Sequence, residues 1–222
     1  MEAIVITLFI PENQYFVTKT DYVLESLRTS ILLGYIPPGT SITEKQIKEI
    51  LHVSSSPIRE ALNQLEAEGL LTRSPHVGTR VAEIVVEDAS ELYSIQALLQ
   101  SSAVQICTKK LSETNIRDAE KLNNQIEDIV SSGSVDVSAV KILNYRFHTI
   151  VCGISVHPWL TRLISALWIR LPNKTIWLLP HEAKIAVKHH KKILEAIKKR
   201  DAVLAGRLMK EHLQRSHKAL YG

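Results

Sequence analysis

The sequence predicts a mostly α protein: an N-terminal winged helix-turn-helix, α with a small β-hairpin, followed by a C-terminal all-α antiparallel helical bundle of six or seven helices. Three observations predict it. Glycine is scarce, at 8 of 222 residues, and the 45% of apolar residues recur mainly at helical spacing. Residues 1–81 carry short helical segments punctuated by turn residues, whereas 82–222 carry long ones. A single β-prone stretch, "LLTRSPHVGTRVAEI", lies near the change of pattern. Two domains of these sizes can each bury a core, with residues 1–14 as an N-terminal extension and the boundary near Ala82 to Val86.

From Thr20 to Leu33, Val23, Leu27, Ile31 and Leu32 repeat at helical spacing, and Gly34, Pro37, Pro38 and Gly39 end the helix. Ser41 with Glu44 three residues later has the capping-box pattern and opens a short helix through Leu51. His52 and Val53 make a tight turn. The next helix carries Ile58, Ala61, Leu62 and Leu65 on one face and stops at Gly69. The hairpin follows, so the order is helix, helix, turn, helix, hairpin. Beyond it, helices are expected near 87–110, 112–131, 136–154, 157–171, 181–199 and 201–219, broken at Ser112, "SSGS", "HP", Pro172 and Asp201.

The net charge of +4 does not by itself locate a nucleic-acid site. Residues 1–80 hold 7 Lys+Arg against 9 Asp+Glu, and residues 81–222 hold 20 against 14, which places +6 in the second part. No stretch is long enough to span a bilayer and the apolar opening "MEAIVITLFIP" lacks a basic leader, so a cytoplasmic protein without membrane contact is expected. Cys107 and Cys152 lack metal-type spacing and are expected as free buried thiols.

Two constellations point to function. In "SSSPIREAL", Ser54 or Ser56 can cap the helix, and Pro57 suits a first turn where its missing N–H has no intrahelical partner. On a helical wheel Ser56, Arg59 and Asn63 lie opposite Ile58, Ala61 and Leu65. A short polar face of this kind is either solvated or set against base edges, where Arg can fork onto guanine. The second constellation is polar residues on apolar helix faces. Asn144 and His148 stand four apart beside Val140, Phe147 and Val151, while His190 and His212 stand eleven positions before and after Asp201. If Asp201 caps the second helix of an antiparallel pair, the two lie level with each other. Three imidazoles and an amide suit a divalent ion, although buried histidines also serve simply as hydrogen-bonded core residues. His157, His181, His189 and His217 have no such placement and are expected at the surface, and Trp159, Trp168 and Trp177 are expected in the core or lining a cavity.

The run "VLESLRTSILLGYIPPGTSITEKQIKEILHVSSSPIREALNQLEAEGLLTRSPHVGTRV" closely resembles the N-terminal domain of GntR-type transcription regulators, over about sixty consecutive residues that include the Pro38-Gly39 turn and the P-x-R-E-A-L core. The resemblance implies that Lys45 contacts the DNA backbone, that Ser54, Ser55, Ser56 and Arg59 lie on the recognition helix, and that His76 and Gly78 lie on the wing. Ser55 departs from the family, which commonly has Arg there. "NYRFH", "HHKKILEAIKKRDAVLAGRLMKEHL" and "LYSIQALLQ" look like the FadR-like, or FCD, subgroup. There the positions of Asn144, His148, His190 and His212 hold a metal ion, zinc or nickel by the ligand types, with small carboxylates completing its coordination. Asn144 replaces the usual Asp, and Gln96 and Gln100 replace Arg and Glu. The Arg position commonly pairs with an acidic effector; with Gln96 there, Arg146 and Arg170 can supply the charge instead, and Gln96, Arg146 and Arg170 are the set expected to face the effector.

The function implied is a homodimeric, sequence-specific transcription regulator, a repressor by the commoner outcome among relatives, binding a near-palindromic double-stranded DNA operator under control of a small-molecule effector, a carboxylate by resemblance. The competing reading is a metal-dependent helical-bundle enzyme with an accessory winged domain. It needs a general base, and the sequence around "NYRFH" offers no carboxylate for that role.

Overall fold

A computed structural model describes residues 6–8, 10, 18–32, 34–74, 78–83, 86–153, 158–168 and 175–222. It divides into two compact units, Met1–Ile84 and Val85–Gly222.

The first unit contains α1 (Lys19–Leu32), β1 (Ser41–Ile42), α2 (Glu44–Leu51), α3 (Ser55–Ala67), β2 (Leu71–Ser74) and β3 (Gly78–Val81). Val23, Leu27, Ile47, Ile58, Ala61 and Leu65 are buried together as its core. Each fully buried Leu or Ile contributes about 1.5–3 kcal/mol relative to exposure. Arg28 of α1 reaches Glu68 beyond α3 at 2.7 Å, and the Thr20 hydroxyl donates to Glu60 at 2.8 Å, so α1 braces α3. His52 ends α2 in the left-handed region at φ 54°, with its N–H donating to the Lys48 carbonyl, which makes the tight turn of the helix-turn-helix. Gly69 at φ +71° stops α3 where a side chain would be strained.

Two local expectations need correction. The capping box belongs to Thr43 and Gln46, not to Ser41 and Glu44. Ser41 is drawn into β1, paired with Arg80, so the hairpin becomes a three-stranded sheet of order β1-β3-β2. Ser54 is the N-cap of α3 in an extended conformation but accepts no capping bond, and the Ser56 hydroxyl donates instead to Glu60 at 3.4 Å. Those serines therefore do not cap through their side chains.

The second unit is all helical: α4 (Val86–Cys107), α5 (Glu113–Ser131), α6 (Val137–Val151), α7 (Pro158–Trp168), a single 3₁₀ turn (Ile176–Leu178), α8 (Pro180–Lys198) and α9 (Ala202–Tyr221). Ser112, Asp136 and Asp201 cap α5, α6 and α9 through their side-chain oxygens. α8 and α9 form an antiparallel hairpin, α9 packs along α4, and α5 packs on α6 and α8. One core cluster gathers Val104, Phe147, Val151, Ile193, Ile197 and Met209, and a second gathers Ile126, Val130, Val140, Trp177 and Val187. The Arg200 guanidinium closes the C-terminal end of α4, donating to the Thr108 and Leu111 carbonyls at 2.9 and 2.6 Å. No helix among the described residues is long and apolar enough to cross a membrane.

Candidate functional site: a recognition helix and a buried histidine cluster

On α3 the apolar wheel face is buried, with Ile58, Ala61 and Leu65 all at 0% exposure. Ser54, Ser56, Arg59 and Asn63 are exposed and Ser55 is half-buried, so the polar residues expected on one face share the solvent side of the second helix of a helix-turn-helix. Lys45 on α2 is exposed, with Glu49 at 4.0 Å. Arg73 of β2 ties the sheet to α3 through Asn63 and Glu66, at 3.1 and 3.5 Å. Gly78 begins β3 at φ +84° with open space where a Cβ would stand. His76 lies outside the described residues.

The histidine cluster is built by three helices of the second unit. α6 carries His148, α8 carries His190 and α9 carries His212, all buried, with ligand nitrogens within 4.8 Å of one another. The Asp201 cap brings His190 and His212 level, and their Nε2 atoms stand 3.3 Å apart. Phe147 stacks on the His190 ring at 4.0 Å, and Trp168 meets the His148 ring edge-on at 4.8 Å, which keeps water from the imidazoles.

Behind the rings, amides fix the proton positions. The Ile164 carbonyl can only accept, so Gln96 donates to it through Nε2 at 3.0 Å and turns its Oε1 toward Gln100, whose Nε2 donates at 2.7 Å. Gln100 Oε1 then faces His148 Nδ1 at 2.7 Å, so Nδ1 carries the proton and Nε2 of His148 keeps its lone pair. On the other side the Val187 carbonyl accepts from Asn123 Nδ2 at 3.5 Å, leaving Asn123 Oδ1 to accept from His190 Nδ1 at 2.9 Å. Nε2 of His190 is therefore a lone pair aimed at Nε2 of His212. Two lone pairs at that distance repel unless His212 carries a proton there or a cation stands between them.

Burial holds all three imidazoles neutral. It pushes the pKa of His148 and His190 well below the ordinary 6.5, with the other cluster histidines adding to the effect, and His212 falls to about 3, with His189 as the lesser cause. A neutral imidazole with Nδ1 hydrogen-bonded and Nε2 free is the form that binds a metal. Asn144, one turn before His148, has a buried Oδ1 that meets no hydrogen-bond donor among the described residues. Such an orphan costs about 1–3 kcal/mol. A cation would satisfy it, so the donor set fits a divalent ion of the kind that takes nitrogen and oxygen ligands.

Other expected positions fall elsewhere. Gln96 is fully buried, and its amide joins the Ile164 carbonyl to Gln100 in the relay to His148. Arg146, two residues before His148 on the helix, is turned by about 200° from it and lies exposed beside a cavity of about 400 Å³ with Asp118, Lys121 and Thr149. Arg170 lies outside the described residues. Trp159 is exposed, and Trp177 is core. Sequence reasoning did not single out Asn123, although a signal was there. It interrupts Ile116, Ala119, Ile126 and Val130 at a buried position of α5.

An exposed-face recognition helix in a winged helix-turn-helix, with a helical bundle holding a ligand-type cluster, defines a DNA-binding regulator with a sensory domain. Residues 19–81 match the family described as bacterial regulatory proteins, gntR family, and residues 91–215 match the FCD domain. The chain belongs to the GntR family, in its FCD-containing branch, and is a DNA-binding transcription regulator. It is similar to the HTH-type transcriptional regulator YdhC of Bacillus subtilis, at 29% identity over 82% of this chain and 83% of that one. The HTH-type transcriptional repressor RspR of Escherichia coli is 24% identical over 85% of this chain and 82% of that one. The solved structure of E. coli McbR/YncC, 24% identical, superposes with a TM-score of 0.82 over 93% of this chain and 98% of that one, which shows the same fold.

Proposed function

We propose that this chain is a homodimeric, sequence-specific repressor that acts in the cytoplasm on a near-palindromic operator, with DNA affinity set by a small anionic effector, a carboxylate, bound beside a divalent ion. Lys45, Ser54, Ser55, Ser56, Arg59, His76 and Gly78 form the DNA-binding set. Asn144, His148, His190 and His212 hold the ion, zinc or nickel. The observation that carries the reading is the cluster of three buried imidazoles, two of them pre-oriented by amides at Nδ1, in a chain whose second helix-turn-helix helix exposes Arg59.

The donor chemistry favours an anionic effector. Imidazoles and the Asn144 amide are all neutral, and no carboxylate belongs to the cluster among the described residues. A buried dication then keeps its full charge, and an anion entering beside it neutralises that charge at low dielectric. When bound, the ion supplies a positive point to which the effector's oxygen atoms attach. The chain's own residues orient it, because Gln100 and Asn123 set the rings and Phe147 and Trp168 exclude water. Effector binding changes DNA affinity only to the extent that it favours one arrangement of the dimer over another. Among relatives, RspR is named a repressor, which supports repression here.

A mobility shift on the promoter region beside the protein's own gene tests the reading, comparing wild type with Arg59→Ala. A specific shift that the variant loses is expected. No specific shift with wild type, or an unchanged shift with the variant, refutes it. Elemental analysis beside a His148→Ala, His190→Ala variant tests the metal, and equal content in both rejects the site.

A further inference from the structure

Arg59 is not a free arm on the recognition helix. Its Nε–H donates to both carboxylate oxygens of Glu44, the first residue of α2, at 2.9 and 3.0 Å. This pairing uses one of the five guanidinium N–H groups. The four on Nη1 and Nη2 are bonded to nothing among the described residues, and the Arg59 side chain remains 67% exposed. Base-edge recognition of guanine O6 and N7 needs two parallel N–H groups in one plane, and the Nη pair can provide them while Nε stays on Glu44.

We infer that Glu44 is a positioning residue for base reading by Arg59, an inference that rests on the DNA-binding reading above. The carboxylate orients the guanidinium before DNA arrives. An arginine held only by solvent would surrender the freedom of a long side chain on binding; one already anchored surrenders less. The same carboxylate has a second effect. It places a negative charge, 40% exposed, beside the base-reading helix and next to Lys45 in the chain, so it opposes binding wherever no base contact compensates. Glu44 thus raises affinity for the right sequence and lowers it for every other one. A purely structural role, as an acidic residue in the first turn of α2, does not predict the loss of affinity for the right sequence.

The test begins with wild-type protein and a library of random-sequence duplexes, from which the bound fraction is amplified and reselected. The most enriched duplex and a scrambled duplex of equal composition are the two probes. Affinities of wild type, Glu44→Ala, Glu44→Gln and Arg59→Ala are measured for both, across a salt series. With Glu44→Ala, affinity for the enriched duplex falls while affinity for the scrambled duplex rises, and their ratio drops by at least about fivefold, the lower end of what one bidentate base contact discriminates. Its binding to the scrambled duplex becomes steeper in salt. Glu44→Gln keeps one oxygen to accept from Nε, so it retains more of the ratio than Glu44→Ala while sharing the gain on scrambled DNA. A 7-deazaguanine, which lacks the N7 acceptor, is placed at the guanine whose modification harms wild type but not Arg59→Ala; its penalty shrinks in Glu44→Ala.

An unchanged ratio and an unchanged 7-deazaguanine penalty in Glu44→Ala, whatever its melting temperature, overturn the inference. So does tighter binding to the enriched duplex, which would make the ion pair an inhibitory clamp. Failure of wild type to enrich any duplex overturns the DNA-binding reading itself, and this inference with it.

Discussion

Acidifying the metal-free protein from about pH 7.5 to about pH 5 is expected to remove much of the stability of the helical unit. In the unfolded chain His148, His190 and His212 titrate near the ordinary 6.5, whereas in the folded chain burial depresses all three, His212 to about 3. Between those limits the unfolded chain binds more protons than the folded one. Stability is therefore intact above about pH 6.5 and falls as pH falls below it, toward a slope of about 1.4 kcal/mol per pH unit for each histidine. At pH 5 the depression of His212 alone costs about 2 kcal/mol, and the lowered His148 and His190 act in the same direction. That compares with the roughly 5–15 kcal/mol by which domains are ordinarily stable. Urea denaturation followed by circular dichroism in EDTA, at half-unit steps of pH, measures it. A His148→Gln, His190→Gln, His212→Gln variant should lose most of the dependence and serves as the reference for other titrating groups. Equal pH dependence in wild type and variant would refute the assignment of three neutral buried imidazoles. Zinc at a hundred times its Kd should add about 2.7 kcal/mol at pH 7.5, and less at pH 5, where protonation of the unfolded chain and of the ligands opposes loading.

Asn144→Asp places a carboxylate at the orphaned oxygen and should raise zinc affinity by about tenfold or more, read by competition with a chromogenic chelator; unchanged affinity would remove Asn144 from the ligand set. Gln100→Leu strips the acceptor from His148 Nδ1 and the donor from Gln96 Oε1. It should lower metal affinity by about 10- to 100-fold, and thermal melting should show about 1–3 kcal/mol lost for each orphaned group. Gly206→Ala on α9 would set a Cβ 3.0 Å from the Ser101 carbonyl oxygen and 3.3 Å from Gln105. Because backbone cannot give way as a side-chain tip does, the α4–α9 contact should loosen, at a cost of about 1–3 kcal/mol in urea denaturation.

The recognition helix was legible in the sequence because its signal is local. Ile58, Ala61 and Leu65 repeat at helical spacing, and the periodicity that buries them leaves Ser56, Arg59 and Asn63 outside. Arg59 could be seen as exposed; that Glu44, fifteen residues earlier, holds its Nε could not. The pairing of His190 with His212 was legible too, since a cap at Asp201 and equal spacing on either side of it fix where two antiparallel helices meet. By contrast, β1 is two residues long and exists only because β3 pairs with it, so nothing in "SI" by itself distinguishes a strand from the start of a capping box.

By itself, then, the sequence determined which segments are helical, which faces are apolar, and that three histidines and an amide sit on inward faces. Periodicity and capping act over a few residues and are written in neighbouring positions. Tertiary structure decided which polar partners those histidines meet: Gln100 is 48 residues from His148 and Asn123 is 67 from His190. It also turned Arg146 outward and closed Gln96 into a relay. Those outcomes depend on the rotation and height at which helices pack against one another. Many small contacts along α4, α5, α6, α8 and α9 set that packing jointly, and no short stretch of the chain encodes it.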